Sequence, residues 1–225
     1  MSLLRCAGRI AAKDLRIELR TRDVVTAMGM FSLLIVVVAS FSFPTSGEHR
    51  DTVAAGLLWM AFLFAILLGI GRSTAVEHED DAIDALVTSP APRESIYLGK
   101  VLANLAFIGV TQLFLIPIAV VLLQLEPSAS LGILLLTVAL GTVALVAVTT
   151  LFSAMAINTR PREAILPILV IPVAIPVLIA SVRATEIALM GTDPASATPW
   201  LLLLTTVASL FLLLGLATFR HVLEE

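Results

Sequence analysis

The sequence predicts an all-α membrane protein: six transmembrane helices behind an N-terminal amphipathic surface helix, in one polytopic domain over residues 1–225. Three observations predict it. The 225 residues are 59% hydrophobic and 14% charged, whereas a water-soluble domain averages about half apolar and about a quarter charged. The apolar residues gather into six runs, each near the roughly 20 residues that a bilayer-crossing helix needs. Finally, twelve of the fourteen Lys and Arg residues fall on one side of those runs, the bias that sets membrane topology.

The first element, residues 2–23, is too polar to enter a bilayer. Arg5, Arg9, Lys13, Arg16 and Arg20 share one stripe of a helix, with Leu4, Ala11, Leu15 and Leu19 on an adjacent one. Such a helix lies on an anionic membrane surface, its cations in contact with lipid headgroups. A basic tail that only sets topology is the other reading. A cleaved leader is not expected, because the charged region is long and the apolar run behind it is long enough to span.

The six spans are expected at 24–43, 53–71, 101–125, 131–157, 164–182 and 199–219. With an even number of spans the termini share a side, and the Lys and Arg distribution makes that side cytoplasmic. Pro167, Pro172 and Pro176 punctuate the fifth span. Each removes a backbone hydrogen bond, so this helix is expected to be kinked or broken, as a moving part or a static bend. Residues 184–190, ended by Gly191 and Pro194, are expected to form a short separate helix at the outer surface. Trp59 and Trp200 are expected to anchor outer span ends in the interfacial belt.

The polar interval 72–100 between the second and third spans holds the densest acidic cluster of the chain. Glu77, Asp80, Asp81 and Asp84 fall on one helical stripe, with Val76, Ile83 and Val87 beside it and Leu86 close by. Ser89-Pro90-Ala91-Pro92 stops the pattern. The result is a short amphipathic helix on the cytoplasmic side, either a solvated acidic loop or a docking element.

Several functions are excluded. A net charge of −3 excludes a nucleic-acid binder driven by bulk positive charge. Cys6 is the single cysteine, so there is neither a disulfide framework nor a CxxC motif. The chain has no Walker A, HExxH or GxSxG motif, and no catalytic or metal-binding set is expected. His49, His78 and His221 are scattered and read as surface residues. None of the six expected spans contains Asp, Glu, Lys, Arg or His. That argues against a proton- or ion-coupled carrier, which uses ionisable groups at membrane depth, and implies that the driving force comes from another subunit.

Taken together, the sequence resembles the ABC-2 (type V exporter) class of ABC-transporter permeases. The matching run is Asp81-Ala82-Ile83-Asp84-Ala85-Leu86, then Ser89-Pro90, then Gly99-Lys100. The family usually has glycine at the position of Ala82 and glutamate at that of Asp84. Within the class, AAKDLRIELRTRD at 11–23, GLLWMAFLFAILLGIGR at 56–72 and LPILVIPVAIPVLIAS at 166–181 are similar to the haem exporter B permeases of cytochrome c maturation. This resemblance implies a multi-pass protein of the bacterial inner membrane with both termini cytoplasmic. It implies an ABC ATPase subunit docked on a coupling helix, with Glu77, Asp80, Asp81, Ile83, Asp84 and Leu86 at the contact. It also implies neighbouring cytochrome c maturation membrane subunits, ATP bound in the partner, and no cofactor on this chain, haem being cargo. Two other readings fit the same residues: an ABC-2 permease for a drug, lipid or polysaccharide, and a membrane assembly scaffold that transports nothing.

Overall fold

The structure, a computed structural model, describes residues 3–43, 50–79, 92–125, 130–156, 162–191 and 193–222. Its helices are α1 (Leu3–Thr21), α2 (Asp23–Ser42), α3 (Arg50–Glu79), α4 (Arg93–Leu122), α5 (Leu131–Met155), α6 (Arg162–Met190) and α7 (Thr198–Val222), with a 3-10 turn at Pro194–Ala197 leading into α7. There is no strand among the described residues. A bilayer offers no water to exposed peptide groups, so a spanning chain satisfies its backbone within helices. Helices α2 to α7 are each long and apolar enough to cross a membrane, and the protein is an all-α multi-pass membrane protein. Six crossings leave both termini at one end of the bundle, the terminal end.

The helix boundaries follow from local chemistry. Between α1 and α2 only Arg22 intervenes, with φ 58° in the left-handed region. Its N–H closes α1 on the Glu18 carbonyl at 2.7 Å, and its own carbonyl accepts from Thr26 at 3.2 Å. Helix α4 ends with Gln124 at φ 49°. This conformation lets the N–H of Leu125 reach the Val120 carbonyl at 2.9 Å while that of Gln124 reaches Val121 at 3.3 Å, the paired closure by which helices cap their last carbonyls. Gly191, φ 64°, stops α6.

Close packing depends on glycines that accept bulky side chains of other helices. A Cβ at Gly141 of α5 would lie 2.3 Å from Cη2 of Trp59 on α3, and one at Gly215 of α7 would lie 2.1 Å from Cζ of Tyr97 on α4. Both rings are fully buried. Each finds a polar partner: the Trp59 indole N–H donates to Thr185 Oγ1 of α6 at 2.9 Å, and the Tyr97 hydroxyl donates to carbonyls of Ala147 at 3.2 Å and Phe211 at 3.1 Å. Helices α4 and α5 are joined by two side-chain rungs in one antiparallel register. Asn104 donates to Thr150 at 3.1 Å and Gln112 to Thr142 at 2.7 Å, with fully buried Ile108 and Val146 between them. Such bonds contribute about 0.6 kcal/mol each in membrane proteins, and they also fix register.

Several expectations are corrected. Residues 184–190 form no separate surface helix; they are the last turns of α6, because nothing before Gly191 interrupts the ladder. Pro167, Pro172 and Pro176 lie inside that single unbroken helix. Pro172 and Pro176 face outward, whereas Val170, Ala174, Val177, Ala180 and Ala184 form its fully buried face. Trp59 is no belt residue but a core residue. The helices also outrun the expected spans, so Lys100, Arg183 and Glu186 lie in their end turns. Charge is therefore absent from the middle of the bundle, not from the whole of each helix. The Glu186 carboxylate accepts from the Thr52 hydroxyl and from the Arg183 guanidinium at 2.9 Å, joining α3 to α6 at the end opposite the termini.

Gly141→Val is expected to lower the melting temperature of the detergent-solubilised protein, by an overpacking cost of about 1–3 kcal/mol. Gly56→Ala, where an added Cβ meets nothing within 4 Å, is expected to leave it unchanged.

Candidate functional site

The terminal end brings together the last turns of α3, the first turns of α4, and α1. Helix α3 runs on to Glu79 and α4 begins at Arg93. Glu77 is thus in the last turn of α3, while Asp80, Asp81, Ile83, Asp84 and Leu86, with the expected amphipathic helix, lie outside the described residues.

Helix α1 has three faces. Arg5, Arg9, Arg16 and Arg20 are exposed along one of them, with Lys13 at its edge, 41% exposed. Beside them Leu4 and Leu19 are also exposed, each 74%. These two faces are the cationic and apolar surfaces that a membrane-surface helix presents. The third face is buried and holds Cys6, Ala7, Ile10, Ala11, Asp14 and Glu18. It packs along α4, the most extensive contact α1 makes. Ala11, expected on the lipid-facing stripe, belongs to this buried face instead.

Two acids and one glycine organise the buried face. Gly99 of α4 sits beneath α1, where a Cβ would lie 2.7 Å from that of Ile10 and 3.0 Å from the Ala7 carbonyl oxygen. One residue on, Lys100 Nζ donates to Asp14 Oδ2 at 3.0 Å, with side-chain exposures of 15% and 7%. The other oxygen, Oδ1, lies 3.2 Å from Lys13 Nζ. One helical turn beyond Asp14, the Glu18 carboxylate accepts from the first backbone N–H groups of α2, Val25 at 2.7 Å and Val24 at 3.3 Å. A helix start leaves such donors without intrahelical partners, and a carboxylate there also meets the positive end of the helix dipole. Asp14 and Glu18 thus tie α1 to the starts of both α4 and α2.

Among the described residues no three His, Cys, Asp or Glu side chains converge. The arrangement fixes α1 to two of the long apolar helices, α4 and α2, at their starts.

A protein-family model described as CcmB protein matches residues 5–222. The chain belongs to the CcmB family. Curated relatives named Heme exporter protein B agree with that over most of their length. The one from Rhodobacter capsulatus is 32% identical over 170 residues, 76% of this chain and 78% of that protein. Those from Pseudomonas aeruginosa and Paracoccus denitrificans are 27% and 29% identical, covering 88% and 86% of this chain and 89% and 88% of theirs.

Within this CcmB fold, sequence reasoning found the basic stripe and missed the buried acids. A signal was available: Asp14 and Glu18 are four residues apart and therefore share the face opposite the cations. A helix with lipid or water on its whole circumference would have no reason to place two acids there. Glu18→Ala is expected to destabilise the corner between α1 and α2 by about 1–3 kcal/mol, through loss of charge-assisted bonds to backbone donors. The expected readout is faster proteolysis near Arg22 and a lower melting temperature in detergent.

Proposed function

We propose that this chain is the permease subunit of an ABC transporter that exports or handles haem for c-type cytochrome biogenesis, energised by ATP hydrolysis in a separate subunit. The observation that carries the proposal is membership of the CcmB family over residues 5–222, alongside relatives whose names specify haem export. The protein works in the bacterial inner membrane with both termini in the cytoplasm, so the terminal end faces the ATPase. Twelve of the fourteen Lys and Arg residues support this orientation.

The ATPase docks on residues 77–87, a segment that begins in the last turn of α3. Ile83 and Leu86 supply apolar anchors, and Glu77, Asp80, Asp81 and Asp84 set electrostatic register against cations on the partner. Helices α3 and α4 have 30 residues each, about 45 Å at 1.5 Å per residue. A hydrocarbon core is about 30 Å thick, so both reach past it toward the docking segment. The cationic face of α1, Arg5, Arg9, Lys13, Arg16 and Arg20, rests on anionic lipid. Movement of the docking segment is delivered to packed helices, among them α4 and α5 with their shared register and the proline-bearing α6. Haem is cargo here, passed across or handed to neighbouring cytochrome c maturation membrane subunits, and ATP is bound by the partner.

Affinity purification of the tagged chain from its own membranes in mild detergent, with partners identified by mass spectrometry, tests this. An ABC ATPase together with cytochrome c maturation proteins is the expected result. An ATPase accompanied by drug-, lipid- or glycan-export proteins would replace haem with another cargo, and an intact complex without an ATPase would overturn the proposal. Within the expected complex, Leu86→Asp should abolish c-type cytochrome formation, scored by haem staining, because a lost central anchor commonly costs over ~1 kcal/mol. Glu79→Ala should leave it within about twofold, as rim charges mainly affect encounter rate.

A further inference from the structure

The buried face of α1 is built for more than holding a helix on a membrane surface. An apolar strip would have been enough to seat α1 against α4, and Ile10 over Gly99 already supplies one. Yet buried Asp14, 7% exposed, is ion-paired there with part-buried Lys100, 15% exposed, and Glu18, 8% exposed, is bound to the start of α2. A buried ion pair adds little net stability compared with apolar packing, but it fails badly when one partner is removed. That profile suits an element whose task is to hold one alignment under load. The two ties are one helical turn apart on a single rigid helix, so the start of α4 cannot shift along α1 without breaking the Asp14 contact. Nor can it carry α1 away without pulling on α2 through Glu18.

We propose that Asp14 and Lys100 are positioning residues for energy coupling: they lock α4 to α1 so that force arriving at the Arg93 end of α4 is shared with α2. The inference rests on the reading that a separate ATPase works on the terminal end of the bundle. Gly99 belongs to the same device, because its missing side chain brings α4 close enough for Lys100 to meet Asp14. The residues concerned touch neither cargo nor ATP; they act through the helices they align.

The test uses the whole complex purified from its own membranes, with Asp14→Asn, Lys100→Met, Lys100→Arg and the reversal Asp14→Lys/Lys100→Asp. Three quantities are measured for each: ATPase recovered per permease, ATP hydrolysed per complex, and c-type cytochrome formed in cells. The expected result for Asp14→Asn and Lys100→Met is normal ATPase recovery, hydrolysis within about twofold, and cytochrome formation reduced about tenfold or more. Lys100→Arg should keep at least half of the cytochrome yield, and the reversal should recover several-fold over either single change. Gly8→Ala, on α1 where an added Cβ meets nothing within 4 Å, should leave the ratio of cytochrome formed to ATP hydrolysed unchanged.

Normal cytochrome yield in Asp14→Asn and Lys100→Met would overturn the inference. Loss of ATPase recovery in those variants would also overturn it, by making the pair part of docking. If the neutral variants fail to accumulate, Lys100→Arg and the reversal decide: yields that do not follow restoration of the pair overturn the inference. Absence of an ATPase from the unsubstituted complex is a different outcome, which removes the functional reading beneath it.

Discussion

Among the described residues, four helix pairs meet where a large side chain enters the space left by a glycine. Ile10 of α1 sits on Gly99 of α4, Met28 of α2 on Gly69 of α3, Trp59 of α3 on Gly141 of α5, and Tyr97 of α4 on Gly215 of α7. In lipid there is no hydrophobic gain from moving apolar surface out of one oil and into another. Helices therefore associate through close van der Waals contact and hydrogen bonds, and small residues set how near they come. These four contacts chain α1 to α4 to α7, and α2 to α3 to α5. Helix α6 joins through the Trp59 to Thr185 bond and through its own face of alanine and valine.

Polar contacts between helices are few among the described residues, and each ties one helix to another at a fixed position. The rungs Asn104 to Thr150 and Gln112 to Thr142 fix how far α4 slides along α5. The contacts of Glu186 with Thr52 and Arg183 fix α3 against α6 at the end away from the termini. At the terminal end Asp14 and Glu18 do the same for α1 with α4 and α2. Among the described residues, the middle of the bundle carries no Asp, Glu, Lys, Arg or His. In this permease of the CcmB family the charged side chains of α2 to α7 sit in their end turns.

The last turn of α3, where the acidic cluster of the sequence begins with Glu77, and the buried face of α1 belong to the same end of the molecule. The stripe of acids and the prolines left that cluster as either a solvated loop or a docking element, and only the family resemblance implied docking. For α1 the sequence indicated only a lipid-facing role, because five cations on one stripe dominate any periodicity analysis. The acids on the opposite face were visible but had no partner in sequence: Asp14 and Lys100 are 86 positions apart. The Gly99-Lys100 pair stood out through family resemblance, and its physical reason, a close approach followed by an ion pair, became apparent only with α1 lying across it.

Sequence alone determined the membrane class, the six crossings and the side on which positive charge gathers. Those depend on local composition: a run of about 20 apolar residues cannot stay in water, and its flanking cations orient it wherever the rest of the chain lies. Helix ends, by contrast, were decided in three dimensions. The first turns of α4 and the last of α6 stay helical although their sequences are polar, because α1 covers the one and α3 the other. The burial of Trp59 was decided in the same way, since the glycine that admits its ring lies 82 positions further along the chain. Such pairings arise only when helices distant in sequence are brought side by side, and no local pattern encodes which neighbour a given face will meet.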